Sequence, residues 1–180
     1  MKRISIVFVL LCICLLSSCR VYGTGIPHEK WIMEDNSSVE NALMEQVAEC
    51  LQKQDADGLK KVFSKQALQE ADDIDAQIKR LFEFFQREDI SWEEIRLGTS
   101  EDSNMGKRKK GVFVWYWVST DQEEYCVFFY DYPIDTQDKD NQGLYAMRVV
   151  KKEDEETKMG TGQEMRIPGI YIPEDDTASS

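Results

Sequence analysis

Gly111-Val-Phe-Val-Trp-Tyr-Trp-Val-Ser119 and the run that follows it, Tyr125-Cys-Val-Phe-Phe-Tyr-Asp-Tyr132, decide the fold class of this chain. Both stretches are rich in β-branched and aromatic residues and are bounded by polar turn residues, the composition of β-strands. Side chains alternate between the two faces of a strand, so Val112, Val114, Tyr116 and Val118 point one way and Phe113, Trp115 and Trp117 the other. The second run repeats this, with Tyr125, Val127 and Phe129 opposite Cys126, Phe128, Tyr130 and Tyr132. Both faces of the hairpin are therefore apolar, and each needs a cover.

Outward from the hairpin, Leu144 to Val150 is a further strong strand and Ile90 to Leu97 a weaker one, giving an antiparallel sheet of about four. Gly98 to Gly111, Thr120 to Glu124 and Pro133 to Gly143 carry the glycines, proline and charges of connecting loops. Upstream the apolar period changes to that of helices. Ser37-x-x-Glu40 has the form of a capping box ahead of Val39, Leu43, Val47, Cys50 and Leu51. Leu59, Val62 and Phe63 mark a short second helix. A third follows a cap at Asp72 or Asp73, with Ile74, Ile78, Leu81, Phe82 and Phe85 on one face. Helices followed by a meander of strands define an α+β domain over residues 37–152. The charged, Gly/Pro-punctuated extension 153–180 is expected to be partly disordered, with one apolar patch at Ile167 to Ile172.

At the other end, Lys2 and Arg3 precede the apolar run Ile4 to Leu16, which falls short of the roughly 20 residues that span a bilayer. The run ends in Leu16-Ser17-Ser18-Cys19. Small residues ahead of a cysteine resemble a bacterial lipobox, so residues 1–18 read as a signal peptide cleaved between Ser18 and Cys19. The Cys19 thiol then carries diacylglycerol, and two acyl chains suffice for stable anchoring where one does not. Residues 19–36 read as a tether whose span of roughly 20–25 Å keeps the domain close to the headgroups. Of five cysteines, Cys12 and Cys14 leave with the leader and Cys19 takes lipid; Cys50 and Cys126 remain, read as small buried hydrophobes rather than a disulfide. The 180-residue chain has a net charge of −12, which becomes −14 once Lys2 and Arg3 are removed. Such acidity argues against a nucleic-acid partner.

The helix–short helix–helix order, the Gln54-Asp-Ala-Asp-Gly-Leu59 corner and the strand run resemble the cystatin-like, NTF2-like fold, a conical cup of helices on a bent sheet. Together with the lipobox, Gly111-Val-Phe-Val-Trp-Tyr-Trp117 and Gly143-Leu-Tyr-Ala-Met-Arg-Val149, the chain looks like the DUF5104 lipoproteins of Gram-positive bacteria. The resemblance implies a fold and a location and transfers no residue role.

Catalytic motifs are sparse. The single histidine, His28, lies in the expected tether, which leaves no His-dependent dyad. Asp131 at a strand end is a candidate acid or base at the rim of a cup, or else a solvated strand-end carboxylate, with Tyr116 and Arg148 as further polar cup residues; Arg148 could pair with Asp131 or hold an anion, though snorkelling to a sheet edge is the commoner role. Asp138-Lys-Asp-Asn-Gln-Gly143 starts like a calcium loop, but its twelfth position is Val149 where a bidentate Glu is required, and it reads as a turn. Neither a metal ligand set nor a cofactor motif is present in the sequence.

Three features point to binding. Phe113, Trp115, Trp117, Phe128 and Tyr130 form a candidate ligand or dimer surface, to be covered by the patch near Ile170, a second copy or a ligand, unless the core simply closes over it. Lys107, Arg108, Lys109 and Lys110 form a basic tip suited to an anionic surface. The expected function is thus an extracytoplasmic, lipid-anchored module, leaning against an enzyme, that binds a small molecule, peptide or protein or forms a homodimer. An acid/Tyr enzyme in an NTF2-like cup and an immunity protein are the alternatives.

Overall fold

The computed structural model describes residues 28–85 and 89–173. The expected signal peptide, Ser18, Cys19 and the tether up to Pro27 lie outside the described residues. Helix α1 runs His28–Lys53, and its residues from Asn36 on belong to the compact unit that holds the remaining elements. Then come α2 (Ala56–Val62), α3 (Lys65–Glu70), α4 (Ile74–Phe84), β1 (Ser91–Asn104), β2 (Lys107–Ser119), β3 (Glu124–Asp135), β4 (Gly143–Lys151), α5 (Glu155–Lys158) and β5 (Gly169–Tyr171). The class is α+β, as the change of period indicates.

The sheet has five strands in the order β1-β2-β3-β4-β5 and is mixed: the first three pairings are antiparallel, and β5 joins β4 in parallel. The expected count was about four. β5 escapes a sequence reading because three residues are too few to show alternation. It brings Ile170 and Ile172 into the helix-side core. Its Ile170 N–H donates to Gln77 Oε1 of α4 at 2.8 Å.

Several boundaries differ from expectation for local physical reasons. Helix α1 begins at His28 and not at Ser37, so Ser37 is interior to the helix and caps nothing; its hydroxyl donates to Glu94 on β1 at 2.7 Å. The buried stripe of α1 is Asn36, Glu40, Met44, Val47 and Leu51, whereas Val39 is half exposed. An additional helix, α3, starts at Ser64, whose hydroxyl accepts the Ala67 N–H at 3.0 Å, as Asp55 and Asp73 do for α2 and α4. The segment from Gly98 to Gly111 is not a loop. β1 and β2 continue to a tight turn at Met105 and Gly106, both at positive φ, with acidic Glu101 and Asp102 opposite Lys110 and Lys109.

Helices cover one face of the sheet. Met44, Val47 and Leu51 of α1, Leu59 of α2, and Ile78 and Leu81 of α4 pack on Val114, Tyr116, Val127, Phe129 and Val149. The chain after β4 covers part of the other face: Met159 and Met165 sit against Phe128, Tyr130, Ala146 and Val150. The cover is therefore the stretch around α5 and the following 3₁₀ turn, not the Ile170 patch. No helix among the described residues is long and apolar enough to cross a membrane.

Candidate functional site

The two sheet faces carry different chemistry, and the alternation along β2 and β3 sorts the candidate residues between them. Phe113, Trp115, Phe128 and Tyr130 share the helix-free face, since Phe113 is paired with Tyr130 and Trp115 with Phe128. Trp115 and Phe128 have ring centroids 4.7 Å apart, and Phe113 meets Trp115 edge-on at 5.8 Å. With Gly162, Met165 and Arg166 these four rings line a groove of about 170 Å³. Trp117, the fifth predicted residue, lies further along β2, 36% exposed, beneath the Lys152 ammonium at 4.2 Å.

Cations lie on this aromatic face although the protein is acidic. Arg96 sits 4.9 Å over the Trp115 ring and Arg166 5.0 Å over Tyr130. Lys109 is 4.1 Å from the Tyr132 ring and also pairs with Asp135 at 3.5 Å. Arg148 is 4% exposed, stacks 3.7 Å over Tyr171 and donates to the Glu164 carbonyl at 2.7 Å, which ties the C-terminal cover to β4. Its Nε is buried without a partner, and burial lowers its pKa. Arg148 pairs in register with Phe128, on the helix-free face, whereas Asp131 pairs with Leu144 on the helix side. Asp131 lies three residues beyond Phe128 on β3, an odd step that turns it to the other face; the register shift beside Tyr130 only places Leu144, not Tyr145, opposite it. The expected Asp131–Arg148 pair does not form, because the sheet stands between them.

On the helix side, Asp131 and Tyr116 do come together, around a residue that sequence reasoning used only as a cap. Glu40 is fully buried, and neither of its carboxyl oxygens has a hydrogen-bond partner; the Tyr116 hydroxyl and Asn36 Nδ2 are likewise unpartnered. Burial, then the charges of Asp131 and Glu94, push Glu40 up to about 8, against a smaller opposing effect of Lys110. Burial also raises Asp131, to about 6, and raises the Tyr116 phenol far above its ordinary value. Glu94 accepts from Ser37, and Lys110 reaches Asn36 Oδ1, so the cluster is closed over at its rim. The signal for Glu40 was present in the sequence: it lies four residues before Met44 and seven before Val47, on the stripe that must be buried.

The basic run 107–110 is strand rather than loop, and it starts directly after the turn at the tip of the β1–β2 hairpin. Arg108 pairs with Glu101, Lys109 with Asp135, and Lys110 with Asn36. Lys107 faces Asn104 next to the turn. The calcium-like stretch is a 3₁₀ turn, Lys139–Asn141, in which Asp138 accepts the Asp140 N–H at 3.0 Å. It is held from below by Asp135, which accepts from the N–H groups of Gln137 and Asp138 and from Asn141 Nδ2. Cys50 and Cys126 are both buried and free, on opposite faces of the sheet.

These features define an α+β domain with a sealed acidic interior and an aromatic groove, framed by guanidinium groups, on its helix-free face. The chain belongs to the DUF5104 family, a domain of unknown function, whose family model matches residues 46–152. A comparison with curated proteins gives no match. The matched segment contains β1 to β4 whole, with the four groove rings, Asp131 and Arg148, but begins after Glu40 and ends before Met165 and Arg166.

Proposed function

We propose that the protein is a lipoprotein of the Gram-positive type, held on the outer side of the cell membrane through Cys19, and that its domain is a non-enzymatic binding module of NTF2-like, conical architecture. The observation that carries the binding reading is the groove formed by Phe113, Trp115, Phe128 and Tyr130, four rings that the C-terminal stretch leaves partly open. Rings fixed by a sheet lose little entropy on binding and supply large contact area, the properties of interface anchors. The lipobox-like Leu16-Ser-Ser-Cys19 supports the anchor. Membrane fractionation tests the location: the wild-type chain sediments with membranes, and C19A is released. Trp115→Ala tests the groove, because a binding module loses its partner with that ring while an enzyme acting on the helix side does not.

An enzyme built on Glu40, Asp131 and Tyr116 is the second reading, favoured by two carboxyls whose pKa values are displaced toward neutrality. It ranks below binding because Glu40 has no exposed surface and Asp131 is 5% exposed, which leaves a substrate no route to either group in this conformation.

A further inference from the structure

Resting on the reading of the groove as a binding site, we infer that its occupant is an acidic peptide segment of a partner protein, which inserts one aromatic or large apolar side chain and presents carboxylates to Arg96 and Arg166. Size comes first. About 170 Å³ is well below the roughly 300–1,000 Å³ that enclose a drug-sized ligand, and it has room for one anchoring side chain. The lining, three hydrocarbon rings or indoles plus Tyr130 and Met165, selects an apolar anchor and has few polar groups to orient a small polar molecule.

Charge fixes what flanks the anchor. Arg96 and Arg166 are both exposed, each lies over a ring of the groove, and neither makes an ion pair with a described residue, whereas Lys109 and Lys152 on the same face are paired with Asp135 and Glu124. In a chain of net charge −12, two uncompensated guanidinium groups beside one apolar groove are a local reversal of sign. A guanidinium placed over a ring and not engaged in an ion pair has N–H donors to offer a carboxylate, which it can take in bidentate fashion. Steering follows as well, because an acidic segment is repelled by the rest of the surface and attracted here.

The test uses the full-length chain in detergent as bait for a displayed library of random dodecapeptides. Selected peptides are then synthesised and titrated by fluorescence anisotropy. The expected pool carries Trp, Phe or Tyr flanked by two or more Asp or Glu. The expected affinity falls about tenfold in Arg96→Gln/Arg166→Gln, and falls steeply with salt in the wild type only. Both substitutions are at exposed side chains, and near-ultraviolet circular dichroism checks that the rings keep their packing. Peptides that need Trp115 but are neutral or basic, or that bind the double arginine variant equally well, overturn the acidic occupant and leave the groove standing. Peptides indifferent to both Trp115→Ala and the arginine changes overturn the groove itself. A concentration-dependent dimer that Arg166→Gln dissociates makes a second copy the occupant and overturns the proposal.

Discussion

The carboxyls of Glu40 on α1 and Asp131 on β3 share the interior between helix and sheet, and burial is the main cause that raises both pKa values, with neighbouring charges adding to it at Glu40. Asp131 ionises first, against a neutral Glu40, so burial is what raises it from 3.8 to about 6. Glu40 must then ionise beside an existing charge, and burial together with Asp131 lifts it from 4.5 to about 8. The pair therefore holds one proton or two across most of the mildly acidic to neutral range.

Stability is expected to fall as pH rises through this window. A folded-state pKa above the unfolded value means that the native state binds the proton more tightly, so the contribution is whole below about 4.5 and is lost as pH passes through about 8. Each pH unit inside the window costs up to about 1.4 kcal/mol per group, so urea unfolding of the wild-type chain at pH 5 and pH 8 should differ by a few kcal/mol. Glu40→Gln removes the charge while keeping the shape, and should flatten this dependence and stabilise the fold at pH 8. Equal stability at the two pH values in the wild type would show that water or a counter-charge reaches Glu40.

Asp135 behaves in the opposite sense. Its side chain is buried, which by itself raises its pKa, but the bonds from Asn141, Asp138 and Gln137 and the Lys109 charge outweigh burial and hold it down at about 2. A depressed pKa contributes stability that is present above about 3.8 and lost as pH falls through about 2. Asp135→Asn should cost about 2 kcal/mol at pH 7, because it also sets an amide donor against Asn141 Nδ2, and the difference from wild type should shrink as pH approaches 2. The turn 136–142 should lose hydrogen-exchange protection in this variant before β3 does.

The two internal thiols should neither pair nor react in the folded state. Cys50 belongs to the helix-side core and Cys126 to the opposite face, with the sheet between them. Burial is the main cause that raises both pKa values, Cys126 up to about 12 with further help from Glu155. In a chain carrying Ser at positions 12, 14 and 19, thiol titration at pH 8 should register nothing until denaturant is added, and two thiols afterwards. Rapid labelling of one thiol without denaturant would show local opening of α1 or of the C-terminal cover.

How far the sequence could be read follows from the range of the signal. Alternation over Val112 to Ser119 and Tyr125 to Tyr132 is local and long, and it groups Phe113 with Trp115 and Phe128 with Tyr130 within their strands; the register, Phe113 opposite Tyr130 and Trp115 opposite Phe128, then puts both sets on one face. The phase of α1 was harder. Val47 and Leu51 fit both the expected stripe and the real one, and only the upstream start at His28 moves Ser37 from cap to interior and turns Glu40 toward Asp131. Gly106-Lys-Arg-Lys-Lys-Gly111 looks like a solvated loop until Glu101 and Asp102 are set opposite Lys110 and Lys109, a cross-strand charge pattern visible only once the turn at Met105 is located. The separation of Asp131 from Arg148 depends on the β3–β4 register: Arg148 falls opposite Phe128, so Asp131, three residues further along β3, faces the other way, whereas a pairing slipped by one residue would put the two on one face.

Gly98 links the edge strand β1 to the groove. It pairs across the sheet with Phe113, and the aromatic ring lies over the glycine: a Cβ at position 98 would sit 2.0 Å from Phe113 Cε2. A contact below 3.0 Å cannot be accommodated in place, so Gly98→Ala must push the Phe113 ring out of its position between Gly98 and the rest of the groove. The overpacking should cost about 1–3 kcal/mol, measured by urea unfolding. Phe113→Ala removes the ring and with it the clash, so Gly98→Ala should be nearly neutral in that background, a coupling that a double-mutant cycle reads directly. If the wild-type groove seats an apolar anchor, Gly98→Ala should weaken peptide binding as well, at constant charge, which separates the shape of the site from the effect of Arg96 and Arg166. Additive costs in the cycle would mean that the ring is free to move aside, and that its place against Gly98 does not shape the groove.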